Sequence, residues 1–212
     1  MVTKAELVEE IGKILRQAGA KYATAGTRDK HYGVWIFSLA FDEAYHGYGA
    51  ALQQLRGQRS EAVFRGKPGE LNSKTSYTYA QVRGAKRAWE LHVDVKVLGK
   101  SGATHGVDVS VIPETRIKHA RIEACPPALS GSGLGVEAKC FGKKITPNEG
   151  RVTLGFQFEL GSVFWLVATT TNQEVETMLC ASGRKTNCFG NAVPGSESEE
   201  KLRRALAAHL NT

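Results

Sequence analysis

Long apolar runs are missing from this 212-residue chain. The longest, Val163 to Ala168, falls well short of the ~20 residues that span a bilayer, so no membrane-crossing helix is expected. The opening MVTKAELVEEIGKIL mixes acids with apolar residues, whereas a secretory signal needs a basic start and an unbroken apolar stretch. A cytoplasmic location is the expectation. Cysteine is sparse, at 125, 140, 180 and 188, and no pair has the C-x-x-C spacing that zinc sites favour. Reduced, structural thiols follow. Internal repeats and low-complexity tracts are absent too. Hydrophobic residues at 42% and charged residues at 23% are ordinary for a globular protein, which argues against disorder.

Acids are in the minority, 21 against 28 basic residues, for a net charge of +7. Such a surplus attracts polyanions. It raises the expectation of nucleic-acid binding without settling it. No helix-turn-helix or zinc-finger pattern is present, so nothing argues for sequence-specific reading.

Local patterns give an order of elements. Residues 3–19 read as an amphipathic helix, with Thr3 and Glu6 in capping-box positions and Gly19 as its stop. Residues 32–40 are a dense apolar run, either buried strand or helix start, and residues 42–57 read as helical. Residues 61–65 suit a short strand, and Lys67-Pro68-Gly69 suits a turn. WELHVDVKVLG at 89–99 and THGVDVSVIP at 104–113 alternate with period two and form a predicted β-hairpin. A basic connection at 114–132 leads to a third strand at 133–142. Thr146-Pro147 starts a helix through about Leu160, and an apolar strand covers 162–171. A helix at 173–181, a short strand at 187–193 and a helix at 198–210 complete the chain. The fold class is α/β: a mixed sheet flanked by helices, in one domain over 1–212. Its core is 89–170, with an N-terminal region 1–88 and a C-terminal extension 171–212.

The chemistry gathers on the hairpin and third strand. Side chains two apart on a strand share a face, so Asp108 goes with Ser110 and Glu137 with Lys139. If the two strands are neighbours, Asp108 and Glu137 converge. Two hard carboxylates with a backbone carbonyl and waters make a partial shell for Mg2+. A lysine beside them can orient water or stabilise charge on a phosphate. Glu90, His92 and Asp94 share a face of the first strand by parity, and Glu90 is the first choice as a further metal contributor. Gly106 shares the face of Asp108, where another acid would suit a two-metal site, so one metal is expected. Glu6, Glu9, Glu10 and His105 are weaker candidates.

Asp108 in V-D-V-S-V-I, followed after a spacer by V-E-A-K at 136–139, resembles the motif of the PD-(D/E)XK, or restriction-endonuclease-like, superfamily. TPNEGRVTLGFQFEL and then VFWLVATT continue the likeness, which covers about residues 89–170. The resemblance implies a sheet whose hairpin and third strand carry the site, with helices around it. It implies Mg2+-dependent DNA cleavage, with Mn2+ as a substitute ion. Asp108 and Glu137 become metal ligands and Lys139 the catalytic lysine. DNA contacts are expected from Lys100, Arg116, Lys118, Lys143 and Lys144 in loops around the site, and from Arg83 and Arg87 in a separate aromatic-basic segment. Cutting both strands usually takes two active sites, so a homodimer or a partner subunit of a defence system is the expected assembly. The alternatives are a non-catalytic nucleic-acid-binding module of the same fold, or a structural domain whose E-x-K is accidental.

Overall fold

The computed structural model describes residues 2–23, 26–56, 61–83, 86–140, 142, 144–182 and 186–212. Helix α1 (Lys4–Gln17) begins at the expected capping box: Thr3 accepts from the Glu6 backbone, and the Glu6 carboxylate accepts from that of Thr3. Strand β1 (Lys21–Tyr22) follows. Helix α2 (Arg28–Tyr48) resolves the ambiguous run at 32–40. It is buried without a break from His31 to Phe41, as befits a helix apolar on every side. The helix expected at 42–57 ends early because Gly49 adopts a left-handed cap with φ of 66°. The chain turns into β2 (Ala51–Gln54), β3 (Glu61–Ala62) and β4 (Thr78–Val82).

The predicted hairpin is β5 (Trp89–Leu98) and β6 (Thr104–Pro113). Helix α3 (Glu114–Ile122) occupies a stretch read from sequence as connection. Only Ile117 and Ala120 are buried on it, too few to produce a periodic signal. Then come β7 (Leu134–Lys139), α4 (Pro147–Leu160), β8 (Val163–Ala168), α5 (Gln173–Ala181), β9 (Thr186–Phe189) and α6 (Glu197–Leu210).

β1 and β3 form a small parallel pair. The main sheet runs β2-β4-β5-β6-β7-β8-β9, antiparallel as far as β7 and parallel from β7 to β9. This is an α/β fold, a mixed sheet with helices packed on it. The largest core joins one face of the sheet to α1, α2 and α6 through residues such as Trp35, Phe37 and Leu206. A second core joins Val95, Val97 and Val107 to Ile117 of α3 and Leu160 of α4. A third packs Leu166 and Ala168 on Val175 and Leu179 of α5. No described helix is long and apolar enough to cross a membrane.

The two larger cores meet at one irregularity. Leu91, Val93, Val109 and Val111 belong to the first core, whereas Val95, Val97 and Val107 belong to the second. The β5–β6 register keeps the same offset throughout, but the pair it skips between Val93↔Val109 and Val95↔Val107 is Asp94 with Asp108. Asp94 has φ of 50°, a left-handed conformation that aspartate tolerates better than most residues. Its carbonyl turns outward and accepts from the Gly69 amide at 3.0 Å. The segment around Gly69 thus continues the edge beside β5 where β4 has ended.

Candidate active site

Asp108 is half-buried on β6, and its Oδ2 accepts from the Ala138 amide at 2.8 Å. That bond fixes the carboxylate against the strand that carries the E-x-K tripeptide. Glu137 and Lys139 form an ion pair along β7, with side chains 14% and 28% exposed. The three residues therefore line one cavity of about 190 Å³, at the carboxyl end of β7.

Three further charged groups face the same space. Asp94, 3% exposed at its side chain, is gripped by the Lys30 ammonium at 3.0 and 2.9 Å through both oxygens. Lys30 stands in the first turn of α2, whose N-cap Thr27 accepts from the Lys30 amide. Asp29, Val93, Ala138 and Cys140 complete the lining, and Gly33 leaves open space above it.

The electrostatics follow from this placement. Asp29, Asp94, Asp108 and Glu137 face only Lys30 and Lys139, so the lining carries two more carboxylates than ammonium groups. Burial raises the Glu137 carboxyl above its ordinary value, and the Asp108 charge adds to that despite Lys139. Burial likewise raises Asp94; Lys30 opposes the shift and Asp108 adds to it. Burial alone would lower Lys139, but Glu137 and then Asp108 outweigh it and hold the ammonium above its ordinary value. An acid and its partner base both shifted upward are the mark of a cavity short of positive charge.

Mg2+ prefers a few carboxylate oxygens and keeps several waters. Asp108 and Glu137 present that donor chemistry, and Lys139 already places a cation against Glu137. Among the described residues no three acid, histidine or cysteine side chains stand close enough to cage an ion. The residues thus fit a weakly held, largely hydrated ion on two carboxylates.

Several expected contributors lie elsewhere. Glu90 does not line the cavity. It is fully buried and bonds Arg121 at 2.8 Å through both oxygens and His92 at 3.0 Å. Burial would raise Glu90, but the hydrogen bonds from His92 and Arg121 outweigh it and hold the carboxyl below its ordinary value. His92 stacks on Tyr79 in the same cluster. Parity over 90–94 groups Glu90 with Asp94, but the left-handed turn at Asp94 breaks that parity. Glu6, Glu9 and Glu10 line a different cavity, with Val193 and Pro194. His105 faces Glu159 and Phe156. Gly106 lies under Pro68, whose Cγ would come within 2.6 Å of an added Cβ, so an acid has no room there.

The basic residues disperse as well. Lys143 lies outside the described residues, and none of the others lines the acid cavity. Lys118 pairs with Glu114 on α3, Arg83 bonds Gln81, and Lys144 is exposed beyond β7. Lys100, Arg116 and Arg87 lie along another part of the surface. Sequence reading gave no role to Lys30, although the T-R-D-K start of α2 places a lysine in a first helical turn. The chain matches no protein-family model, no curated protein and no solved structure.

Proposed function

We propose that the chain is a Mg2+-dependent DNA endonuclease of the PD-(D/E)XK type. The observation that carries this reading is the meeting of Asp108 and Glu137, from neighbouring strands, in a cavity with two surplus carboxylates and Lys139 at its wall. The order of hairpin β5–β6, third strand β7, helix α4 and parallel strand β8 also agrees with what the motif implies.

Asp108 and Glu137 would hold the ion, Mg2+ or Mn2+. When bound, it supplies a Lewis acid that polarises a phosphate and makes water easier to ionise. The protein's own groups do the rest. Lys139 orients the attacking water and balances charge that builds on the phosphate oxygens. Water adds to phosphorus, one P–O ester bond breaks, and the leaving alkoxide takes up a proton. The Ala138 amide keeps Asp108 aimed at the site throughout. In this reading the setting is cytoplasmic and the substrate is foreign DNA, in restriction or phage defence. Cutting both strands would then call for a homodimer or a partner subunit.

One observation favours a second reading, a non-catalytic nucleic-acid-binding module. Lys30 occupies both oxygens of Asp94, and Lys139 already pairs with Glu137. Plasmid cleavage separates the two. Nicking that needs Mg2+ and disappears in Glu137→Ala is expected. Nicking that persists unchanged in Glu137→Ala refutes the nuclease assignment, and salt-sensitive binding without cleavage selects the second reading.

A further inference from the structure

At the other end of the β7–β8 pair, about 17 Å from the acids by strand rise, two cavities of about 670 and 330 Å³ adjoin and share Gly131 and Val163. They form one groove. At one end Lys100 sits 5.2 Å from the ring centre of Phe158, which is 62% exposed. Gln157 and Ser162 line the same end, nine-tenths buried or more, with Gln157 Oε1 and Ser162 Oγ lacking a hydrogen-bond partner among the described residues. At the middle Arg116 bonds Ser130, beside Gly131. At the far end lie Arg87, Trp165 and Asn187.

Side-chain charge along the groove is positive. Among the described residues no aspartate or glutamate lines either cavity, although Thr212, at the end of the chain, lines the larger one. Among the described residues Lys100, Arg116 and Arg87 have no aspartate or glutamate partner; Arg116 bonds Ser130, and Arg87 donates to the Thr212 oxygen at 3.4 Å. Cations without an aspartate or glutamate beside them suit an anion from outside the chain. An exposed ring next to such a cation offers a stacking face beside a phosphate site. Buried amide and hydroxyl groups without partners suit the polar edge of a flat ring that enters the cavity.

We propose that this groove holds a single-stranded polynucleotide. A base stacks on Phe158, its edge meets Gln157 and Ser162, and the phosphates run past Lys100, Arg116 and Arg87. A duplex keeps its base faces covered and cannot use the ring. The site is separate from the acid cavity and does not depend on cleavage there.

Anisotropy of a short labelled oligodeoxyuridylate tests this in EDTA, with an oligouridylate and a duplex of equal length beside it. The single strands bind and the duplex binds more weakly. A preference between the two single strands identifies the sugar the groove accepts. Lys100→Ala with Arg87→Ala lowers the slope of log affinity against log salt by about 1.4, at about 0.7 per phosphate contact on a single strand. Phe158→Ala weakens binding by about tenfold at any salt, and Phe158→Trp restores it. Lys13→Ala, on α1 and outside both cavities, leaves the affinity unchanged. All variants melt like the wild type, which separates contact from folding. Absence of single-strand binding, a duplex bound as tightly as the single strand, or wild-type affinity in both Phe158→Ala and the double variant would overturn the proposal.

Discussion

Adding a divalent cation to the apo chain should stabilise it through Glu137, by an amount that can be worked out. Two carboxylates already engaged by lysine and a main-chain amide predict weak affinity, about 0.1 to 1 mM. At about 10 mM free ion, binding to the folded state alone contributes about 1.4 to 2.7 kcal/mol. For a chain of this size that raises the melting temperature by about 3 to 11 °C. The assay is thermal denaturation followed by circular dichroism, in Mg2+ against EDTA at matched ionic strength. The pH dependence has a definite sign. Burial and the Asp108 charge hold the Glu137 carboxyl above its unfolded value. Its contribution to apo stability is therefore fully present below the unfolded value and is lost as pH rises through the folded one. Asp94, also raised, acts in the same direction. Protons compete with the ion, so the Mg2+-induced shift grows as pH rises through the folded-state value of Glu137. In Glu137→Gln the shift falls to about a degree or less, while the apo chain at neutral pH melts no lower than wild type. Equal shifts in wild type and Glu137→Gln, or a shift that shrinks as pH rises, would refute the reasoning.

Lys139→Ala lowers the rate of Mg2+-dependent cleavage by about 10² to 10³, as removal of a charge-stabilising donor does elsewhere, with DNA affinity changed only a few-fold; single-turnover cleavage and anisotropy read the two. Asp94→Ala costs about 1.5 to 3 kcal/mol in urea denaturation, from an alanine at φ of 50° and the lost Lys30 pair, tempered because Lys30 is 35% exposed and can return to water. Asp94→Asn, which tolerates the same backbone, costs about half as much. Arg121→Ala leaves Glu90 buried with His92 alone and costs about 3 to 5 kcal/mol. The Glu90 carboxyl is held below its ordinary value, so its contribution is present above the unfolded value and lost as pH falls through the folded one; the gap to wild type closes in acid.

Elements with strong local codes were legible in the sequence. The capping box at Thr3, the alternation of the hairpin, Pro147 at the start of α4 and the continuous apolar strand at 163–168 each carry their own cause. Asp108, Glu137 and Lys139 were legible because two-residue periodicity held along their strands. Helix α3 was not, since only two buried positions mark it. Neither was the end of α2, where Gly49 outweighs the helix-forming residues before it. Lys30 reaches the cavity only through packing across 64 positions of sequence, which no local pattern encodes.

The misplacement of Glu90 has a single physical source, and that source also explains the cavity. A regular β5 would carry Glu90, His92 and Asp94 on one face and fill the other with valine. The left-handed backbone at Asp94 interrupts that order, so Val93 and Val95 serve different cores and the charged pair Asp94 and Asp108 falls at the seam between them. The seam is then left open, and the space is walled by four carboxylates, two lysines and the start of α2, with only Val93, Ala138 and Cys140 as apolar lining. Backbone strain and unbalanced charge coincide there, the combination that functional sites hold against the drive for stability. A valine at position 94 in regular β conformation would remove the seam, let the alternation run on, and take from Lys30 its partner. The cavity exists because the strand is imperfect, and its chemistry depends on that imperfection being kept.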